Sequence, residues 1–219
     1  MWCIGRLTEE YRSRMYDVLD LYAQPYREDE PVVCIDEKSK QLLQDKRVPL
    51  GLKPGSPAKQ DYEYKRAGTC NLFVAVEPKG QRRLVEVTDR RTKVDFVAFV
   101  QVLLEQVYTS ARKIHLVLDN LNTHFRSSFE DVLGRQRAAR LLRRVVFHHT
   151  PKHASWLNMA EIEIGILDRQ CLSRRMPDIG MLTAQVNTWQ QHRNEQRYGI
   201  QWTFSRQDAD RKLRRHYVS

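Results

Sequence analysis

Residues 113–124 read KIHLVLDNLNTH, an apolar run that passes without a break into polar and titratable groups. Ile114, Leu116, Val117 and Leu118 are branched or bulky, the pattern of a strand buried on both faces of a parallel or mixed sheet. Asp119 and Asn120 stand at its carboxyl end, the edge at which open α/β sheets meet their ligands. Asn122, Thr123 and His124 are suited to turn the chain and cap a following helix. Asp-Asn after a strand is also ordinary turn chemistry, so the segment alone leaves both readings open.

Upstream, residues 8–23 place Tyr11, Met15, Val18, Leu19 and Tyr22 at helical spacing behind Thr-Glu-Glu, which predicts a leading amphipathic helix. PVVCIDEKS then reads as a second buried strand, Val32 to Ile35, ending in Asp36 and Glu37. Residues 41–68 are rich in Pro, Gly and charge and predict a long surface excursion. NLFVAVEP and RRLVEVTD, separated by Pro78-Lys79-Gly80, predict a hairpin. Residues 94–108 are apolar around much of a helix, as suits a crossover against the sheet. Beyond His124 the sequence predicts a helix over 125–142, a strand in RVVFHHTP and a helix opened by Ser155. A further helix is predicted over Pro177 to His192, and a basic one begins at Ser205 and Asp208.

A length of 219 residues suits one large domain or a domain with appendages. No run approaches the eighteen or so apolar residues of a membrane span. The N-terminal MWCIGRLTEEYRSR carries acids and bases where a secretory signal would be apolar, so an intracellular protein is expected. Cys3, Cys34, Cys70 and Cys171 lack the paired spacing of a zinc knuckle or a disulfide framework and read as core thiols. Thirty-seven Lys and Arg against twenty-seven Asp and Glu leave a net charge of +10, which fits a polyanionic partner such as nucleic acid. Arg135, Arg137, Arg140, Arg143 and Arg144 load the predicted 125–142 helix and its end, either as a solvated face or as one turned to phosphate.

Three acids recur in similar surroundings: Asp36 and Asp119 at strand ends, and Glu161 in a helix shortly after a third strand. For a helix opened at Ser155, Leu157, Ala160, Glu161, Ile164 and Asp168 share one face, with Glu163 turned about 160° away. Glu161 is therefore the expected inward carboxylate and Glu163 a solvated or ion-paired surface group. Inward acids need a charge partner, and a metal ion serves three at once; hard oxygen donors without Cys favour Mg2+ or Mn2+. His148, His149 and His153 lack a fourth soft ligand, and the first two alternate faces, which argues against zinc. His124 and His153 read better as groups that hydrogen-bond phosphate or orient an acid.

VVCIDEKS, DYEYKRAGTCNLF, LVLDNLNTH, HHTPKHASWLNMAEIE and WTFSRQDADRKLRR occur in an order, and over nearly the whole chain, that resembles bacterial insertion-sequence transposases of the Tc/mariner superfamily, the DDE superfamily endonucleases. The resemblance implies an α/β, ribonuclease-H-like fold, a mixed five-stranded sheet flanked by helices, with a helical C-terminal extension. It divides the chain into a lead-in over 1–30, a catalytic domain over 31–175 and the extension over 176–219. The family's acids fall on Asp36, Asp119 and Glu161, as catalytic groups and ligands of Mg2+ (or Mn2+). Glu37, Asn120, His124, His153 and Asn158 are expected to support them, and Lys38, Arg66, Lys152, Arg140 and Arg144 to contact nucleic acid. The implied activity is cleavage of double-stranded DNA at element ends and strand transfer into target DNA by a homodimer in the bacterial cytoplasm, on the nucleoid when bound. A separate upstream helix-turn-helix fragment is expected, since only 35 residues precede Asp36. A remnant that only binds DNA or dimerises is the alternative. Where the family carries aromatic residues after its glutamate, this chain has Glu163, Ile164 and Gly165.

Overall fold

Ile114–Leu118 forms β4, which lies between two parallel neighbours with four of its five residues buried. The computed structural model describes residues 7–48, 50–59, 61–121 and 123–217; Cys3, Pro49 and Asn122 lie outside them. β1 (Val32–Asp45), β2 (Tyr64–Glu77) and β3 (Arg82–Thr88) form an antiparallel meander. β4 joins β1 in parallel, and β5 (Val145–His149) joins β4 in parallel. The result is a mixed five-stranded sheet in the order β3-β2-β1-β4-β5.

Helices cover both faces. Val33, Ile35, Phe73, Ala75, Leu116 and Leu118 point to one face, under α2 (Lys93–Val102), α3 (Arg126–Leu133) and α4 (Arg135–Leu141). Phe73, Phe96, Phe99 and Phe129 are fully enclosed there, each stabilising by roughly 2–3 kcal/mol through apolar burial. Residues of the other parity, Cys34, Leu72, Val74, Val76 and Val117, pack on the opposite face against α1 (Glu9–Ala23), α5 (Ala160–Leu167) and α6 (Ile179–Glu195). α7 (Arg206–Leu213) closes the chain against α1. Thr8 caps α1, and Thr92 with Asp95 and Ser205 with Asp208 make complete capping boxes at α2 and α7.

Four expectations need correcting. β1 does not end at Asp36 but continues to Asp45, paired along its length with β2, so the excursion shrinks to 46–63. Ladder hydrogen bonds to a partner strand outweigh the polar composition of that stretch. The 125–142 helix is two helices, because Gly134 at φ +76° and ψ 154° cannot continue an α-helix. Thr123 and His124 do not cap α3, whose N-cap is Phe125 without a side-chain bond. Ser155–Leu157 is a separate 3-10 turn, and α5 begins at Ala160.

Candidate active site

Parallel pairing sets Cys34 opposite Val117, and two further residues along each chain bring Asp36 level with Asp119. Both keep the parity of Cys34 and Val117, hence the face on which α5 packs across β1 and β2. Asn158, fully buried, docks that helix. Its Nδ2 donates to the Ile35 carbonyl at 2.8 Å, while its Oδ1 accepts from Ala160 N at 3.1 Å. The first turn of α5, with Glu161, is thereby tied to the residue just before Asp36.

Asp36 is 9 % exposed, and Glu37 N donates to its Oδ1 at 2.8 Å. Burial raises its pKa to about 7; the Glu37 amide opposes the rise, and the charges of Glu161, Asp119 and Glu37 add to it. The carboxylates are therefore close enough to repel one another. Asp119 is half-buried and held by two donors, His124 Nδ1 at 2.6 Å and Leu121 N at 3.2 Å. Burial pushes its pKa up, but these bonds and the His124 charge outweigh it and leave the carboxyl below its usual range. Glu161 is exposed on the rim of α5.

His124 joins the two strands chemically. It is fully buried, with Nδ1 on Asp119 and Nε2 on Glu37 Oε1 at 2.9 Å, and its ring lies 4.5 Å from that of Phe96. Burial alone would make it less basic, yet the two carboxylates raise its pKa to about 9, so the ring is an imidazolium at neutral pH. Asn120 is clasped between Arg14 of α1, which donates to its Oδ1, and the Thr150 carbonyl, which accepts from its Nδ2. Nothing near Asp119 in sequence announces Arg14; its only signal is its place on the polar side of the leading helix.

Among the described residues, no three His, Cys, Asp or Glu side chains form a ready-made metal cluster. The donor set nevertheless suits a hard divalent cation, with oxygen-only acids on one face and an Asp36 whose proton affinity is raised by burial first and by its acidic neighbours second. His148 and His149 turn opposite ways. His148 joins Asp17 at 2.7 Å and His115 at 2.9 Å, while His149 faces the His124 carbonyl at 3.1 Å. His153 is exposed, at φ +62°.

Glu163 is the clearest correction. It is 0 % exposed, with Arg83 Nε at 2.9 Å, Arg193 Nε at 2.7 Å and Arg193 Nη2 at 3.1 Å. Because α5 starts at Ala160, Leu157 is out of phase with it, and the true apolar stripe is Ala160, Glu163, Ile164 and Leu167. That i, i+3, i+4, i+7 spacing was visible in the sequence; the two arginines that neutralise the acid, from β3 and α6, were not. Arg144 is corrected as a phosphate contact as well. Its guanidinium donates to the carbonyls of Tyr108, Thr109, Ala111 and Leu104. Lys38 pairs with Asp168 at 3.2 Å, whereas Arg66, Lys152 and Arg140 are exposed.

The chain is an α/β domain whose mixed sheet carries acids at adjacent strand ends and on a helix across them. The chain belongs to the DDE superfamily endonucleases, whose family model matches residues 31–183. No curated protein sequence matches it. Among solved structures it is similar to the Mos1 mariner paired end complex with Mg, at 13 % identity and TM-score 0.61 over 100 % of this chain and 66 % of that one. The Mos1 mariner paired end complex with Mn matches at 15 % identity and TM-score 0.57, covering 90 % and 60 %. These likenesses establish the ribonuclease-H-like fold, and the chain spans about 60 % of the length of the Mos1 chain in the Mn complex.

Proposed function

We propose that this chain is a DDE transposase catalytic domain that cleaves double-stranded DNA at element ends and transfers the strand to target DNA, with Asp36, Asp119 and Glu161 as its catalytic carboxylates. The observation that carries the reading is the register that sets Asp36 level with Asp119 on the face where α5 presents Glu161. The similar Mos1 structures are paired-end complexes with Mn and Mg and a strand transfer complex, which agrees with it. Asp36, Asp119 and Glu161 would hold Mg2+ or Mn2+, whose charge would stabilise the anionic transition state and activate water or a 3′ hydroxyl. The imidazolium of His124 holds the Asp119 carboxyl below its usual range, bonds Glu37 through its other nitrogen, and fixes where the Asp119 carboxylate points. Asn158 holds the Glu161 turn against β1. Lys38, Arg66 and Lys152 supply positive charge to the phosphate backbone, and residues 31–175 carry the three carboxylates while α6 completes the core beneath them. A homodimer and an upstream helix-turn-helix fragment complete the proposal.

The test is nicking of supercoiled DNA with Mg2+ or Mn2+. Asp36→Asn, Asp119→Asn and Glu161→Gln should each abolish it while the proteins remain folded; nicking that survives all three removes the assignment. A second reading, an inactive remnant that only binds DNA or dimerises, draws on the absence of a formed cluster among the described residues. Wild-type protein that fails to nick even with an upstream recognition fragment supplied would favour it.

A further inference from the structure

The end of the sheet opposite the carboxylates is strongly basic. Arg112 lies just before β4 and Arg144 immediately precedes β5, whereas Asp119 immediately follows β4. The two strands run parallel, so these arginines and the carboxylates lie at opposite ends of the sheet, roughly 15–20 Å apart by strand length. At the arginine end is a cleft of about 850 Å³ whose lining includes Arg112, Arg137, Arg140, Arg143 and Arg144 with one acid, Glu105.

The five arginines differ in what they do. Arg144 is engaged by four backbone carbonyls and Arg112 by Asp29 and Glu30, so these two build the wall. Arg137, Arg140 and Arg143 are exposed and, among the described residues, have no carboxylate partner. They recur every third residue along α4 and the 3-10 turn after it, a row of about 10 Å at 1.5–2 Å per residue. Three like charges in a row repel one another and stabilise nothing in the fold. A row of that length matches two or three successive phosphates of a nucleic acid strand, and guanidinium forks suit phosphate oxygens.

We propose that this cleft is a second DNA-binding surface, in which Arg137, Arg140 and Arg143 grip the backbone of a duplex segment other than the one at the carboxylates. The proposal deepens the transposase reading and rests on it for the choice of DNA as the polyanion. Contacts to phosphate oxygens position a duplex without reading its sequence, so the grip is sequence-independent.

The experiment measures binding of a short duplex of arbitrary sequence to the full chain against salt concentration. The triple variant Arg137→Gln, Arg140→Gln, Arg143→Gln should lower the slope of log K against log salt by roughly 2 to 3 units, about 0.9 for each phosphate no longer neutralised, with an unchanged melting temperature. Single variants should each remove about a third of that change, which keeps the test open should the triple variant fold poorly. An unchanged slope in the folded variants overturns the proposal, as does a loss confined to RNA with DNA binding intact. Repeating the series in a Glu161→Gln background separates the two ideas. A slope change that persists there supports the cleft even if wild type never nicks DNA, an outcome that would sink the nuclease reading alone.

Discussion

Two carboxylates two residues apart in α5 have opposite fates, and a pair of isosteric substitutions measures the difference. Glu163 is enclosed with Arg83 and Arg193, and removing its charge strands two guanidiniums inside the protein. Glu163→Gln should therefore cost about 3–5 kcal/mol in urea unfolding. Glu161 stands on the rim, and Glu161→Gln should change stability by no more than about 0.5 kcal/mol while abolishing metal-dependent nicking. A Glu163→Gln protein as stable as wild type would refute the buried triad. Glu77 offers a separate pH test. Burial raises its pKa, while the Tyr108 hydroxyl, donating to Oε2 at 3.1 Å, and Arg82 work the other way. A carboxyl with a raised folded pKa favours the fold when protonated, so its contribution is lost as pH climbs from the unfolded value through the folded one. Glu77→Gln should be more stable than wild type at pH 8, and the gap should close toward pH 4. A gap independent of pH would exclude that assignment.

At the scale of elements, two glycines of the helical layer, Gly134 and Gly165, differ in whether the backbone requires them. Gly134 holds φ +76° with ψ 154°, a region essentially reserved for glycine, and it lets α4 leave the line of α3. Gly134→Ala should lose about 1–3 kcal/mol in thermal or urea unfolding. Gly165 lies inside α5, and a Cβ there would meet nothing nearer than Arg169 Nη1 at 3.6 Å, an ordinary contact. Gly165→Ala should raise stability by about 0.5–1 kcal/mol, and a decrease would mean that the helix needs slack beside Glu161. Glu163, Ile164 and Gly165, which stand where the resemblance implied aromatic residues, have their physical account in the same helix. Glu163 is matched by arginines from β3 and α6, and Ile164 packs with Leu72, Val74 and Leu167.

For the whole molecule, the segment after residue 175 is integral to the core. Leu182, Val186 and Trp189 of α6 pack with β2, β3 and α5, and Arg193 completes the Glu163 triad. A chain ended at residue 175 should lose cooperative unfolding by circular dichroism, and a sharp two-state melt of that fragment would show the C-terminal helices to be an appendage.

The hydrophobic pattern of Ile114–Leu118 and Val32–Ile35, the hairpin around Pro78-Lys79-Gly80 and the capping signals at Thr8 and Ser205 determined the sheet and most helices from sequence alone, because those signals are local. Asp36 and Asp119 were legible for the same reason, each following directly on a buried apolar run. The strand extension to Asp45 was not, since it depends on hydrogen bonds to β2, some thirty residues away. The phase of α5 depended on where the chain leaves a 3-10 turn. The burial of Glu163 depended on arginines 80 residues upstream and 30 downstream. Tertiary structure alone decided those points, because a charged side chain is read as exposed until the partners that neutralise it are brought to it by the fold.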